Sequence, residues 1–495
     1  MTHWQPWGFV TIAVLLGLLV ATLPLTYAGL VIATTAVFLL TFVQPLVGLG
    51  LALLLGPLGA WENVLFGATI LDSGQLSLLL TIAVWGARGL RNGRLLLPHT
   101  ALNWPLALFL FIAGLTLLDA PSLTFGLKEL IKWLEIGLLM LIVVDLAPTK
   151  PNQANWYAWL IVGLLLLSGI AQAFIGIWQF GLRGDGPEHF LILGRFYRAF
   201  GTFMQPNPFG GFMNLTSLLA LGIALGTATW LWQHRRSGTK PEPVEGGLSH
   251  NKHLRQHTGW LWLAFGLSAT SAAIIVVGLL MSWSRGAWLG FAAGAFTIVF
   301  FWPRQRWQGG VLLLVGTAVL LIGFSLNLIP ASITTRLTSF QDDFRLGDVR
   351  GVDVNDTNYA VLERLAHWQA ALDMARDELW LGVGFGNYEP AYEAYALINW
   401  PDPLGHAHNY YFNLLAEVGI VGLLAYILLW TAVFWQTIRL LQLDWPQRGI
   451  VLGLLAAWVA LTVHHVVDKL YVNNIYIHIG VMFGLLQHLA LREKV

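Results

Sequence analysis

Uninterrupted apolar runs of 15 to 25 residues recur from one end of this 495-residue chain to the other, and no other feature restricts its fold so much. Inside a bilayer no water satisfies a backbone N–H or C=O, so a spanning segment must be a helix or a strand of a closed barrel. Runs this long, without polar alternation, specify helices of about 20 residues. Counting them gives about 14 spans, with 12 equally compatible because the first 60 residues are crowded. The expected fold is an all-α polytopic membrane protein of about 12–14 transmembrane helices with one long outer-face loop. The first run lacks a basic n-region and a small-residue cleavage site, so it reads as a span rather than a cleaved signal peptide.

Composition removes several classes of function. With 56% hydrophobic and 11% charged residues and a net charge of +1, the chain has no basic face able to track nucleic-acid phosphates. It contains no cysteine, which excludes disulfides, thiolate metal sites and a thiol nucleophile. Fifteen of the 27 basic residues fall in one set of connections, among them Arg88, Arg91, Arg235, Arg304, Arg306, Arg439 and Arg448. By the positive-inside rule those connections, and both termini with them, are cytoplasmic, so the expected location is the cytoplasmic membrane, crossed many times. The chain divides into a helical region over 1–329 with a disordered cytoplasmic loop at 233–258, a large outer loop over 330–408, and C-terminal spans over 409–495.

That outer loop holds twelve acidic residues against five basic ones, so a diffuse polyanion-binding surface does not fit it. Apolar residues at Leu362, Leu365, Ala366, Trp368 and Leu372 predict an amphipathic helix from Asn358 to Trp380, lying over the membrane face. The following LGVGFGNY reads as a glycine-rich turn; no parallel strand precedes it, which argues against a nucleotide site.

Chemistry is expected on the same outer side. Arg198, followed by the Pro-Asn-Pro turn that contains Asn207, and Arg285, in the tight SWSRG hairpin beside Ser282, Ser284 and Gly286, run against the positive-inside bias. Fixed guanidiniums of this kind suit a phosphate or diphosphate ligand. Arg195 is a weaker candidate of the same type, and Arg364 sits on the loop helix beside His367 and Trp368. His464 and Asp468, at i and i+4, would share a helix face as a support pair, though a hydrogen bond between spans is the commoner outcome. In LGHAHNYYFNLLAEVG, His408 with Asn409 beside it suits general-base work, whereas Tyr410 and Tyr411 read as interfacial anchors, Glu417 as a buried polar contact and His406 as the lesser histidine. Asp402, His406 and His408 lack the spacing of a metal site, so no metal or other cofactor is expected.

The segments RAFGTFMQPNPFGGF, SWSRGAWLGF, ERLAHWQAALDMARDELWLGVGFGNY and HAHNYYFNLLAEVGIVGL occur in that order between about residues 198 and 425. In this order the chain resembles the O-antigen ligase and polymerase superfamily of bacterial polysaccharide membrane proteins. The resemblance implies metal-independent glycosyl transfer at the outer face, from a glycan on undecaprenyl diphosphate to a lipid, sugar or protein acceptor. It would make Arg198 and Arg285 diphosphate ligands, with Arg364, Asn207 and Asn409 as further substrate-binding candidates, and His408 the base. A neighbouring branch, described as bicarbonate transporters, shares the Pro-Asn and Ser-Arg-Gly segments and the His-x-x-x-Asp pattern of His464 and Asp468. The His408-Asn409 pair favours the enzyme.

Overall fold

The computed structural model describes residues 14–493, apart from 15–16, 19–20, 68–70, 94–96, 237–247, 329, 339–347 and 356–357. Its helices run α1 (Leu25–Val43), α2 (Pro45–Leu55), α3 (Gly59–Phe66), α4 (Ser73–Arg91), α5 (Asn103–Leu115), α6 (Leu123–Asp145) and α7 (Pro151–Gly181). A two-stranded antiparallel hairpin, β1 (Leu191–Ile192) and β2 (Phe196–Tyr197), leads into α8 (Pro206–Arg236) and α9 (Leu248–Met281). Then come α10 (Arg285–Phe301), α11 (Arg306–Ser325), α12 (Ala331–Thr338), α13 (Tyr359–Asp377) and α14 (Tyr388–Ala391). The last three are α15 (Tyr410–Leu440), α16 (Gln447–His464) and α17 (Ile475–Glu493).

The protein is an all-α polytopic membrane protein. Among the described residues nine helical stretches are long and apolar enough to cross a membrane, fewer than hydropathy alone suggested. The difference has identifiable causes. α5 and α10 are apolar but only 13 and 17 residues long, while α6 carries Lys128, Glu129, Lys132 and Glu135 within its own span. The run expected at 8–25 falls largely outside the described residues. Of the loop expected at 233–258, residues 237–247 also lie outside them, and both flanks are helical, as the end of α8 and the start of α9.

The core forms where small residues let backbones meet. α8 packs on α9, α10 and α16, and α17 packs on α6. At the α8–α16 crossing Gly222 faces Gly453 and Gly226 faces Gly449, so closely that a Cβ at any of them would overlap backbone of the other helix. In hydrocarbon, where lipid tails are as apolar as leucine, such close dispersion contact is what drives helices together.

The long loop is stitched to the bundle by the glycine-rich turn. α15 is broken at Gly419, whose φ of 60° and ψ of −168° leave the helical region and release the hydrogen bonds around it. The turn takes them up: Val383 and Gly384 donate to the carbonyls of Ala416 and Glu417 at 2.9 and 3.0 Å, and Ile420 donates to Leu379 at 2.9 Å. A Cβ on Gly419 would collide with the Trp380 carbonyl. Asn387 extends the stitch by accepting from the Ser122 N–H at 2.7 Å. α13 therefore does not lie on lipid as the amphipathic pattern suggested. Its apolar face, including Val361, Leu365, Ala366 and Met374, is covered by the chain itself, chiefly against α15.

Replacing Gly453 by leucine should force α8 and α16 apart and destabilise the folded protein by about 1–3 kcal/mol or more. A thermal melt of the detergent-solubilised chain reads this directly, and an unchanged melting temperature would contradict the close crossing.

Candidate active site

Four arginines that are far apart in sequence line one cavity of about 510 Å3 at the loop end of the bundle. Each is placed by the end of an element. Arg198 follows the hairpin, and its Nε donates to the Ser282 carbonyl at 3.0 Å while a terminal nitrogen donates to Asn207 Oδ1 at 3.3 Å. Asn207 lies in the first turn of α8, which opens on Pro206 as the Pro-Asn-Pro sequence requires. The same Oδ1 also accepts from the Ser284 hydroxyl at 2.9 Å, so Asn207 ties Arg198 to the second hairpin. Arg285 is the first residue of α10, whose N-cap is Ser284. Gly286 matters for a steric reason: a Cβ there would stand 2.6 Å from Val467 and 2.8 Å from the His464 ring.

Arg364 on α13 donates to the Ala360 carbonyl at 3.1 Å, and its Nε is buried without a partner. The fourth, Arg336 on α12, is one that the sequence reading did not single out. It donates to the Trp283 carbonyl at 3.3 Å and its Nε is likewise buried and unpartnered. Nothing in ASITTRLT distinguishes this arginine from a surface cation; the signal is its arrival opposite Arg285. Burial, followed by repulsion from Arg336, Arg364 and Arg285, lowers the Arg198 guanidinium to about 9. Burial with Arg285 and Arg364 lowers Arg336 to about 10. Both remain charged at neutral pH, so the cavity is a concentrated positive site between the bundle and an otherwise acidic loop. Arg195 does not line it; it is exposed and stacks on Phe196 with its guanidinium 4.3 Å from the ring centre.

His464 and Asp468 also line the cavity, but not as a pair on one helix face. α16 ends at His464, so Asp468 lies in the turn beyond it. There its Oδ1 accepts from the Lys469 N–H at 2.8 Å and stands 3.7 Å from His406 Nε2. Lys469 in turn meets Glu129 of α6 at 3.3 Å, which fixes the turn against the bundle. His406 is thus a member of the cluster, contrary to its lesser rank in the sequence. Its Nδ1 accepts from the His408 N–H at 3.0 Å.

His408 sits at φ 52°, a left-handed conformation unusual for this residue. Its ring centre lies 4.4 Å from that of His406 and 5.7 Å from that of His367, and both ring nitrogens are buried without a partner. It does not line the cavity itself, but adjoins Asp468, which does. His406, His408 and Asp468 offer ligand atoms within 4.8 Å of one another, a donor set that differs from the Asp402 grouping suggested by the sequence. A divalent cation there would face the positive field of the arginines. Burial, then His406, lowers the His408 imidazole to about 3; burial, then Lys469, lowers His406 to about 3. Burial alone takes His367 to about 4.

Asn409, expected beside His408 as a substrate ligand, caps α15. Its Oδ1 accepts from the Tyr411 and Phe412 N–H groups at 3.0 and 3.1 Å. The tyrosines are not interfacial anchors. Tyr410 is fully buried and donates its N–H to the His465 carbonyl at 2.8 Å, and the Tyr411 hydroxyl donates to Thr462 at 2.9 Å. Glu417 is buried and accepts from the Tyr388 N–H at 3.3 Å.

Residues 270–427, about a third of the chain, match the family model described as O-Antigen ligase. No curated protein matches the chain. The matched stretch includes Arg285, Arg336, Arg364, His406 and His408, whereas Arg198, Asn207, His464 and Asp468 come to the same cluster from outside it.

The three depressed histidines have a consequence for stability. Each folded-state value lies below 6.5, so as the pH falls the unfolded chain takes up protons first. Their contribution is complete above pH 6.5 and is lost as the pH drops toward 3–4, by about 2 kcal/mol per histidine at pH 5. The melting temperature in detergent should therefore fall between pH 7 and pH 5, and fall less in a His406→Asn/His408→Asn double variant. Parallel profiles for the two proteins would refute the assignment.

Proposed function

We propose, starting from that family match, that the protein is a glycosyltransferase of the cytoplasmic membrane that moves a glycan from undecaprenyl diphosphate to an acceptor hydroxyl at the outer face. The observation that carries the reading is the juxtaposition of four guanidiniums with an unpartnered, neutral histidine at one end of the bundle. The orientation follows the basic connections: Arg304, Arg306, Arg439 and Arg448 lie at the opposite end, which the positive-inside rule makes cytoplasmic.

In this mechanism the arginines bind the diphosphate of the donor. His408 accepts the proton of the acceptor hydroxyl as that oxygen attacks the anomeric carbon. The bond from that carbon to the diphosphate oxygen breaks, its electron pair leaves with the diphosphate, and the configuration inverts. The leaving group gains negative charge at that moment, and among the described residues four positive side chains against the carboxylate of Asp468 in the lining supply the excess needed to stabilise it. Guanidiniums thus take the part a divalent cation plays elsewhere, and the transfer proceeds without one. An imidazole lowered by burial is by itself a weak base. Arrival of an anionic donor raises its proton affinity, and Asp468 acts in the same direction. Asn207 positions Arg198, and Asn409 sets the start of α15 directly after the base.

The test is transfer from a polyprenyl-diphosphate-linked glycan by the purified, reconstituted protein. His408→Ala should reduce turnover by about 100-fold or more, Arg336→Gln by about 100-fold, and a chelator should leave the wild-type rate unchanged. Full activity of His408→Ala would end the base assignment, and loss of activity on chelation would move His406, His408 and Asp468 from proton handling to metal binding.

A further inference from the structure

A second constellation stands at the other ends of the helices that carry the arginine cavity. α8, α10 and α16 begin or finish at that cavity, and their far ends, after roughly 25 Å of helix, border two adjoining depressions. One, of about 490 Å3, is lined by Arg304, Arg306, Arg439 and Arg448. The other, of about 800 Å3, is lined by Trp232, Trp302, Trp307 and Trp445 together with Leu225 and Leu312. Arg304 belongs to both.

The basic depression is built rather than incidental. Arg448 is only 3% exposed, donates to the carbonyls of Leu441 and Phe301, stacks over Trp445 at 5.2 Å, and keeps a buried Nε with no partner. Arg306 is held by the Phe301 and Pro303 carbonyls at 3.3 Å. Against these four cations stand Asp444, paired with Arg304 at 2.5 Å, and Glu493, which meets Gln442. Two positive charges remain in excess, next to a wall of tryptophans. Beyond that wall α11 presents Leu314, Val315, Val319 and Leu320, each more than half exposed among the described residues. A soluble anion would have no use for the tryptophans, and a neutral lipid none for the arginines. A headgroup phosphate with acyl chains attached satisfies both.

We propose that this end of the bundle binds an anionic phospholipid of the surrounding leaflet, its phosphate among Arg304, Arg306, Arg439 and Arg448 and its chains in the tryptophan-lined groove against α11. The site is independent of the transfer reaction and of the identity of the glycan. It would tie the ends of α10, α11, α15 and α16 together through one ligand.

Native mass spectrometry of the full chain in detergent, titrated separately with phosphatidylglycerol, phosphatidylcholine and inorganic phosphate, tests this. The first phosphatidylglycerol should bind at least about ten-fold more tightly than the first phosphatidylcholine. Arg304→Gln and Arg439→Gln, both at exposed side chains, should each weaken it about five-fold. Arg439→Lys should retain most of the affinity, Trp307→Ala should weaken both lipids, and Arg235→Gln, outside both depressions, should change neither. Equal binding of the two lipids, or an Arg304→Gln/Arg439→Gln variant that binds phosphatidylglycerol like wild type, overturns the proposal. Complete displacement of the lipid by millimolar inorganic phosphate also overturns it, in favour of a small-anion site.

Discussion

Everything at the loop end of this protein turns on holding four like charges in one partly buried cavity. Guanidiniums removed from water lose solvation, and each repels the others, which is why Arg198 and Arg336 are both lowered from their ordinary values. The fold meets this cost with carbonyl oxygens: those of Ser282 and Trp283, just past the end of α9, for Arg198 and Arg336, and that of Ala360, one turn back on α13, for Arg364. These contacts orient the cations without neutralising them, since a carbonyl carries no net charge. The nearest carboxylate in the lining, Asp468, is shared with His406 and the Lys469 N–H. An arrangement of that kind is completed by an anion, and a preorganised cluster spends none of its binding energy on rearrangement when the anion arrives.

The cluster exists only because the long loop is fastened down. Arg336 and Arg364 belong to the loop, whereas Arg198 and Arg285 belong to the bundle, so the cavity is an interface between the two. The break at Gly419 makes the fastening possible. An unbroken α15 would have no free carbonyls at Ala416 and Glu417, and the turn at Val383 and Gly384 would have nothing to donate to. The same helix begins at Asn409, immediately after His408, so the element that anchors the loop also fixes the histidine. Buried charge on the bundle side, Glu129 between Lys132 and Lys469, holds the turn that carries Asp468.

Two ends of one helix set thus carry opposite tasks of electrostatics. At the loop end the cations are few, inward-facing and gathered from four separate segments. At the far end they are clustered near helix termini beside interfacial tryptophans, the usual position for contact with headgroups. α8, α10 and α16, whose glycines allow close backbone approach, connect the two.

What was legible from the chain was whatever depends on local periodicity and on sign of charge. Long apolar runs settled the all-α membrane class, the lopsided distribution of arginines marked Arg198 and Arg285 as exceptional, and small residues around Arg285 announced a close approach. Span number was less legible, because hydropathy counts α6 and the short α5 and α10 without knowing that other helices shield their charges or ends. Arg336 and His406 could not be ranked, since their significance lies in neighbours some 50 to 60 residues away: Arg285 for the one, Asp468 for the other. The contacts of Asn409 and the tyrosines were unreadable for the same reason, their hydrogen bonds being fixed by where α15 starts and what α16 presents to it. The sequence by itself determined the kind of structure and the side of it on which charge is anomalous, because backbone hydrogen bonding and desolvation act residue by residue. Only the tertiary structure decided which of those charges share a cavity and which histidine nitrogens remain unpartnered, because that depends on a helix break at Gly419 and a turn that happens to fit it.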